Sequence, residues 1–244
     1  MKSEIIDYQC DNTNLKGQVY SVGNDGQKRP AVIVAHAWKG RDQFALDKAK
    51  LLAEQGYVGF AADLYGDGVV VESNEEAFER MLPLFLDRKL LRDRIVAAYD
   101  VIKDHPLVDN GNIGAIGFCF GGATVLELIR SGVDLKGVVS FHGLLGYTIG
   151  EEKAEVPPSA EKLNGSLLIL HGYQDPMVSL DDVVKIQQEF SSKGIDWQMH
   201  TYGNASHAFT NPEANEPESG LVYNAITEKR AMRSMNDFFK EVFS

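Results

Sequence analysis

Three short segments hold side chains whose types and order suit nucleophilic acyl transfer. The first is Gly117-Phe118-Cys119-Phe120-Gly121-Gly122, which sets a cysteine between glycines two residues before and two after it. This is the G-x-S-x-G pattern with sulfur in place of the hydroxyl. In that pattern the reactive residue sits on a cramped turn between a strand and a helix, so bulky neighbours are excluded. A helix beginning just beyond Cys119 would supply unpaired N–H groups and a partial positive charge, both of which favour thiolate. The plainer reading is a packing cysteine in a glycine-rich turn, since free cysteine is often buried. Cys10 has no comparable surroundings and reads as a packing residue.

A cysteine nucleophile needs a proton acceptor and a third group to orient it. Asp175, in His171-Gly172-Tyr173-Gln174-Asp175, and His207, in Ser206-His207-Ala208-Phe209, follow Cys119 in the order nucleophile, acid, histidine. Taken singly, each has an ordinary explanation. Asp175-Pro176 could cap the helix expected from Leu180, and a lone loop histidine is commonly a solvated surface residue. It is their joint occurrence downstream of the elbow that points to a Cys119–His207–Asp175 triad.

Hydrophobic patterning supplies the elements that would position them. Residues 4–10 and 16–22 read as two strands joined by a polar turn, and residues 23–30 as a turn-rich loop. Ala31–Ala35 is an unbroken apolar run, as in a strand covered on both faces. Helices are expected over 43–55, 74–104 with a break near Pro83, 121–130, 180–193 and 221–242. Strands are expected over 57–62, 113–118, 137–142, 167–171 and 196–202. This alternation predicts one α/β domain over residues 1–244, with a mostly parallel sheet, helices on both faces and an antiparallel N-terminal edge. Ligands bind such sheets at the carboxyl ends of the strands. Cys119, Asp175 and His207 all fall just after expected strands.

Together these motifs resemble the dienelactone hydrolase family over essentially the whole chain. The resemblance implies an α/β-hydrolase fold, a Cys–His–Asp triad and cleavage of a small ester or lactone, the type reaction being hydrolysis of an enol lactone. It also implies an oxyanion hole from the backbone N–H groups of Phe120 and Trp38. His36, Trp38, His142 and Phe209 are the expected pocket residues. Two departures stand out. Dienelactone hydrolases proper carry a glutamate where this chain has Ala37, and they use arginines, one shortly after the catalytic histidine, to hold a substrate carboxylate. Here that stretch reads Thr210-Asn211-Pro212.

Composition narrows the alternatives. With 24 Lys+Arg against 35 Asp+Glu the net charge is −11, opposite to a nucleic-acid binder, and no apolar run is long enough to span a membrane. The N-terminal residues show no apolar signal core, so a cytoplasmic setting with two free thiols is expected. No phosphate-loop motif occurs and no cofactor is expected. Two rival readings stay open. One is a zinc hydrolase using His36, His142 and His171, although no close histidine pair gives ligand spacing. The other is a non-catalytic small-molecule binder on a hydrolase scaffold. The loop 143–163 is long enough for a lid or for a plain surface excursion.

Overall fold

A computed structural model describes residues 1–23 and 26–244. The expected loop over 23–30 includes residues 24 and 25, which lie outside the described residues. In chain order the elements are β1 (Lys2–Cys10), β2 (Thr13–Ser21), β3 (Arg29–Ala35), α1 (Gln43–Glu54), β4 (Val58–Ala62), α2 (Asn74–Leu86), α3 (Arg88–Lys103) and β5 (Val108–Phe118). There follow α4 (Phe120–Arg130), β6 (Gly137–Phe141), β7 (Thr148–Ile149), β8 (Glu152–Lys153), β9 (Ser166–Gly172), α5 (Leu180–Ser192) and β10 (Trp197–Tyr202). The chain closes with β11 (Asn215–Glu216), β12 (Leu221–Val222) and α6 (Ala225–Val242).

The main sheet has eight strands in the order β1-β2-β4-β3-β5-β6-β9-β10. β1 and β2 pair antiparallel and β2 joins β4 antiparallel, while every pair from β4 to β10 is parallel. The alternation in β3 shows why its apolar run is unbroken. Ala31, Ile33 and Ala35 pack in one core with α3 and α4, and Val32 and Val34 pack in the other with α1 and α6. Both faces are covered, so both sets of side chains are apolar. β5 lies at the centre, between β3 and β6. The loops after β3, β5, β6, β9 and β10 therefore open on one carboxyl edge. Among the described residues no helix is long and apolar enough to cross a membrane.

Three expectations about the elements change. The break in the 74–104 helix falls at Asp87 rather than Pro83, which lies within α2. Pro83 is exposed, so the carbonyl it cannot serve can turn to water. Asp87 ends one helix and caps the next, accepting the Leu90 N–H at 2.9 Å. The last helix starts at Ala225, capped by Asn224, and residues 221–222 pair with β11 instead. Loop 143–163 contains the β7–β8 hairpin and is tied down on both sides. Glu155 exchanges backbone bonds with Leu86 and Arg88, Arg88 donates to the Gly146 carbonyl, and Arg92 donates to the carbonyls of Pro157 and Pro158.

Candidate active site

Cys119 sits between β5 and α4 with φ 56° and ψ −115°. A cysteine pays for a positive φ, so the surrounding packing must impose it. Its N–H donates to the Phe141 carbonyl at 3.1 Å, and its carbonyl accepts from Gly122 at 2.9 Å. The flanking glycines answer to sterics. A Cβ on Gly117 would lie 1.9 Å from the Gly121 oxygen, and one on Gly121 would lie 2.1 Å from the Ala35 oxygen. Helix and strand backbones approach so closely that only glycine fits, and this crowding thrusts Cys119 out at the sheet edge. Cys119 is partly exposed and lines a cavity of about 1400 Å³.

His207, in the loop after β10, is fully buried, and its Nδ1 lies 2.7 Å from Oδ2 of Asp175. The other carboxylate oxygen accepts the Met177 N–H at 2.8 Å. Asp175 is thus held at both oxygens, and the helix-cap role goes to Ser179, which forms a capping box with Asp182. His207 Nε2 is buried and makes no hydrogen bond of regular geometry among the described residues. It is close enough to Cys119 for a thiolate there to act on it. Burial pushes the imidazole pKa down, but the Cys119 charge and the Asp175 hydrogen bond outweigh it and hold the value at about 10. The sulfur, imidazole and carboxylate expected from the sequence are therefore brought together in series.

The backbone N–H groups of Phe120 and Trp38 have no acceptor among the described residues. Phe120 is the first residue of α4, where no intrahelical partner exists. The two peptide units that flank the Trp38 Cα are each held by a side chain. His36 Nδ1 lies 2.6 Å from the Ala37 carbonyl, and the C=O of Ala37 points opposite to the N–H of Trp38 across one planar unit. Tyr65 donates its hydroxyl to the Trp38 carbonyl at 2.7 Å. His36 Nε2 accepts the Leu64 N–H at 3.2 Å, so Nδ1 carries the ring proton and donates. Burial holds the His36 pKa down at about 4, which keeps the ring neutral.

The pocket expectations divide. Trp38 and His142 line the cavity. His36 and Phe209 are fully buried and do not. His36 is turned inward by its two backbone partners and packs its ring edge against Tyr65 at 4.8 Å. Phe209 fills the core between His142, at 4.9 Å, and Tyr202, at 5.7 Å. The ring of His142 lies 5.3 Å from that of His207, and its Nε2 meets Thr210 Oγ1 at 2.8 Å. Burial, then the neighbouring His207, pushes the His142 pKa well below its ordinary value. Among the described residues no three His, Cys, Asp or Glu side chains gather as a metal-holding group, so the three-histidine alternative has no donor set. Cys10 is a buried free thiol whose pKa burial raises.

Sequence reasoning passed over Tyr65 and Asp63, although both stand just after β4, at the same sheet edge as the others. Asp63 is fully buried and accepts four backbone N–H groups, from Lys16, Tyr65, Gly66 and Gly68. It thereby fixes the turn that presents Tyr65. Burial, and next the charge of Cys119, raise the Tyr65 pKa, so its phenol stays a donor.

The family model described as the dienelactone hydrolase family matches residues 18–243. The solved structure m3DLH superposes with a TM-score of 0.91 at 38% identity, covering 100% of this chain and 99% of that one. A dienelactone hydrolase-like promiscuous phosphotriesterase from metagenomic libraries superposes at 0.90 and 34% identity, with 100% and 99% covered. A putative carboxymethylenebutenolidase of Aquifex aeolicus is 24% identical over 243 residues, 97% of each chain. With α/β-hydrolase architecture and a match running from the second strand almost to the last residue, this chain belongs to the dienelactone hydrolase family.

Proposed function

We propose that this hydrolase cleaves small carboxylic esters or lactones through Cys119, His207 and Asp175, by way of an acyl-enzyme. The observation that carries the reading is Cys119 held at positive φ on the cavity wall, within electrostatic reach of an imidazole bonded to a buried carboxylate. His207 takes the thiol proton, and the thiolate and imidazolium stabilise one another. This supports activation of the thiol without a glutamate at position 37. The Cys119 sulfur attacks the carbonyl carbon, and the carbonyl π electrons move to oxygen, which is met by the N–H groups of Phe120 and Trp38. As the tetrahedral species collapses, the ester C–O bond breaks and the leaving alkoxide takes the proton from His207. A water molecule then gives a proton to His207 and its oxygen attacks the thioester. The C–S bond breaks, the acid departs and the thiol is restored. In a lactone the leaving oxygen stays tethered to the acyl group.

Asp175 keeps the His207 proton on Nδ1, which leaves Nε2 to serve the sulfur. The enzyme works as one α/β-hydrolase domain in the cytoplasm, where a reducing medium keeps a free catalytic thiol reduced. Hydrolysis of p-nitrophenyl acetate, with intact-mass detection of an acetyl adduct on Cys119, tests the proposal. Turnover unchanged in Cys119→Ala, or an adduct on another residue, would remove Cys119 from the mechanism.

A further inference from the structure

We infer that the substrate of this site is an uncharged ester carrying a bulky apolar group, and that a carboxylate on the substrate is selected against. The inference rests on the site proposed above and adds to it the charge and polarity of what binds.

Large apolar side chains from several separate segments face the cavity, among them Trp38, Phe78, Met81, Phe85, Ile149 and Met177. Phe78 and Met177 remain 40% and 42% exposed, a cost that folding does not require and that ligand contact would recover. The charged lining is unbalanced. Six carboxylates, those of Asp42, Asp47, Glu54, Glu72, Glu213 and Glu216, face three lysines, and among the described residues no arginine lines the cavity.

Two of the three lysines are paired. Lys48 is bound to Glu228 at 3.0 Å, its side chain only 12% exposed, and lies over the rings of Phe44 and Phe118. Lys50 pairs with Asp47 at 3.0 Å. Lys39 forms no ion pair among the described residues and acts only at a distance on Asp42, a carboxylate whose pKa burial raises. An incoming anion thus meets one unpaired lysine, an imidazole already bonded to the Asp175 carboxylate, and a surplus of negative charge, in a chain of net charge −11. A neutral ester pays none of that cost and gains the apolar wall.

The test compares matched probes that differ only in charge. Binding is read in Cys119→Ala with 4-phenylbutyramide and 4-phenylbutyrate, by quenching of tryptophan fluorescence. Trp38 lines the cavity and Trp197, the other tryptophan, does not. The neutral probe should bind about 10-fold or more tightly. Raising salt from about 0.01 M to about 1 M, which shortens the screening length from roughly 30 Å to 3 Å, should narrow the gap by weakening the repulsion. Phe78→Arg, at an exposed position of α2, should narrow or reverse it, and Met177→Lys gives an independent check. Equal affinities, or tighter binding of the anion to the unsubstituted lining, would overturn the inference. Because binding is measured without the thiol, this outcome is separate from the hydrolysis assay. There, p-nitrophenyl butyrate should exceed the mono-p-nitrophenyl ester of succinic acid in kcat/KM by a similar factor, and an equal or reversed ratio would also overturn it.

Discussion

Helix α4 carries a cluster of buried ionisable groups at each end, and the two clusters are built on different rules. At its C-terminal end Glu127 accepts from Arg92 at 2.8 Å and Arg130 at 2.9 Å, with Arg88 at 3.9 Å, and Arg130 also clamps Glu189 through two bonds of 2.7 Å. Burial pushes the Arg130 pKa down, but the bond to Glu189 and the charge of Glu127 more than reverse it. Arg88 is less fully matched, its Nε having no partner among the described residues, and burial lowers its pKa to about 10. Glu127 nonetheless has a partner at both oxygens, and the network fastens loop 143–163 to α3 and α4. At the N-terminal end the groups are left incomplete. Among the described residues His207 Nε2 and His142 Nδ1 are buried with no hydrogen bond of regular geometry, and the Phe120 and Trp38 N–H groups have no acceptor. Saturated charge holds a wall in place, whereas unsatisfied polar atoms beside a cavity are free to meet a substrate.

Substitutions at the two ends should separate activity from stability. The largest effect belongs to Cys119→Ala, which should lower ester turnover by about 10³-fold or more while leaving the melting transition close to the parent's. Asp175→Asn should cost about 10²–10⁴-fold in kcat, because the amide no longer selects the His207 tautomer. At the other end, Glu127→Gln takes the counter-charge from the buried Arg88 and from Arg92 and leaves Arg130 with Glu189 alone. It should destabilise by about 3–5 kcal/mol in urea unfolding, with the remaining folded enzyme still acylating Cys119. If Glu127→Gln abolished acylation at full foldedness, the division between the ends would fail.

A smaller effect sharpens the picture at the active end. Tyr65→Phe removes one hydroxyl that fixes the Trp38 peptide and should lower kcat about 10-fold with KM little changed. Alkylation of Cys119 by iodoacetamide develops no oxyanion and should proceed at the parent rate. Equal losses in both reactions would place Tyr65 on the thiol instead.

The smallest effect is in the pH dependence of stability, where two histidines act in opposite directions. His36 is held down at about 4 in the fold against an ordinary 6.5. The unfolded chain therefore takes up more protons between those values, and stability present above 6.5 is lost as pH falls towards 4. His207 is held up at about 10, so its contribution is complete below 6.5 and is lost as pH rises towards 10. Urea midpoints should peak near neutrality. In Cys119→Ala the alkaline loss should shrink, because the thiolate that raises His207 is gone.

The elbow was legible in the sequence because its glycines answer to a local steric demand that leaves a spacing in the string. Asp175 and His207 were legible through order and strand ends. The parallel sheet followed from apolar runs such as Ala31–Ala35. His36 and Phe209 were misplaced because a strand end fixes a residue's height in the sheet and not the direction of its ring. Whether a ring turns to the cavity or the core depends on partners distant in sequence, here Leu64 for His36 and Tyr202 for Phe209. Tyr65 was missed although the same strand-end rule applied to it, since a hydroxyl that serves one backbone carbonyl leaves no motif. The tethering of loop 143–163 depends on Arg88 and Arg92, far upstream, and no local pattern announces it.

The β11–β12 hairpin ties the cavity wall to the loop that carries His207. Leu221, on β12, lines the cavity, and its neighbour Val222 donates to the carbonyl of His207 at 3.0 Å. The wall and the imidazole thus share a backbone seam, closed again by Ser206 Oγ on the Gly220 carbonyl at 2.7 Å. In the proposed mechanism an acyl chain that leans on this wall leans on the proton carrier too, and chain length should then register in rate as well as in affinity.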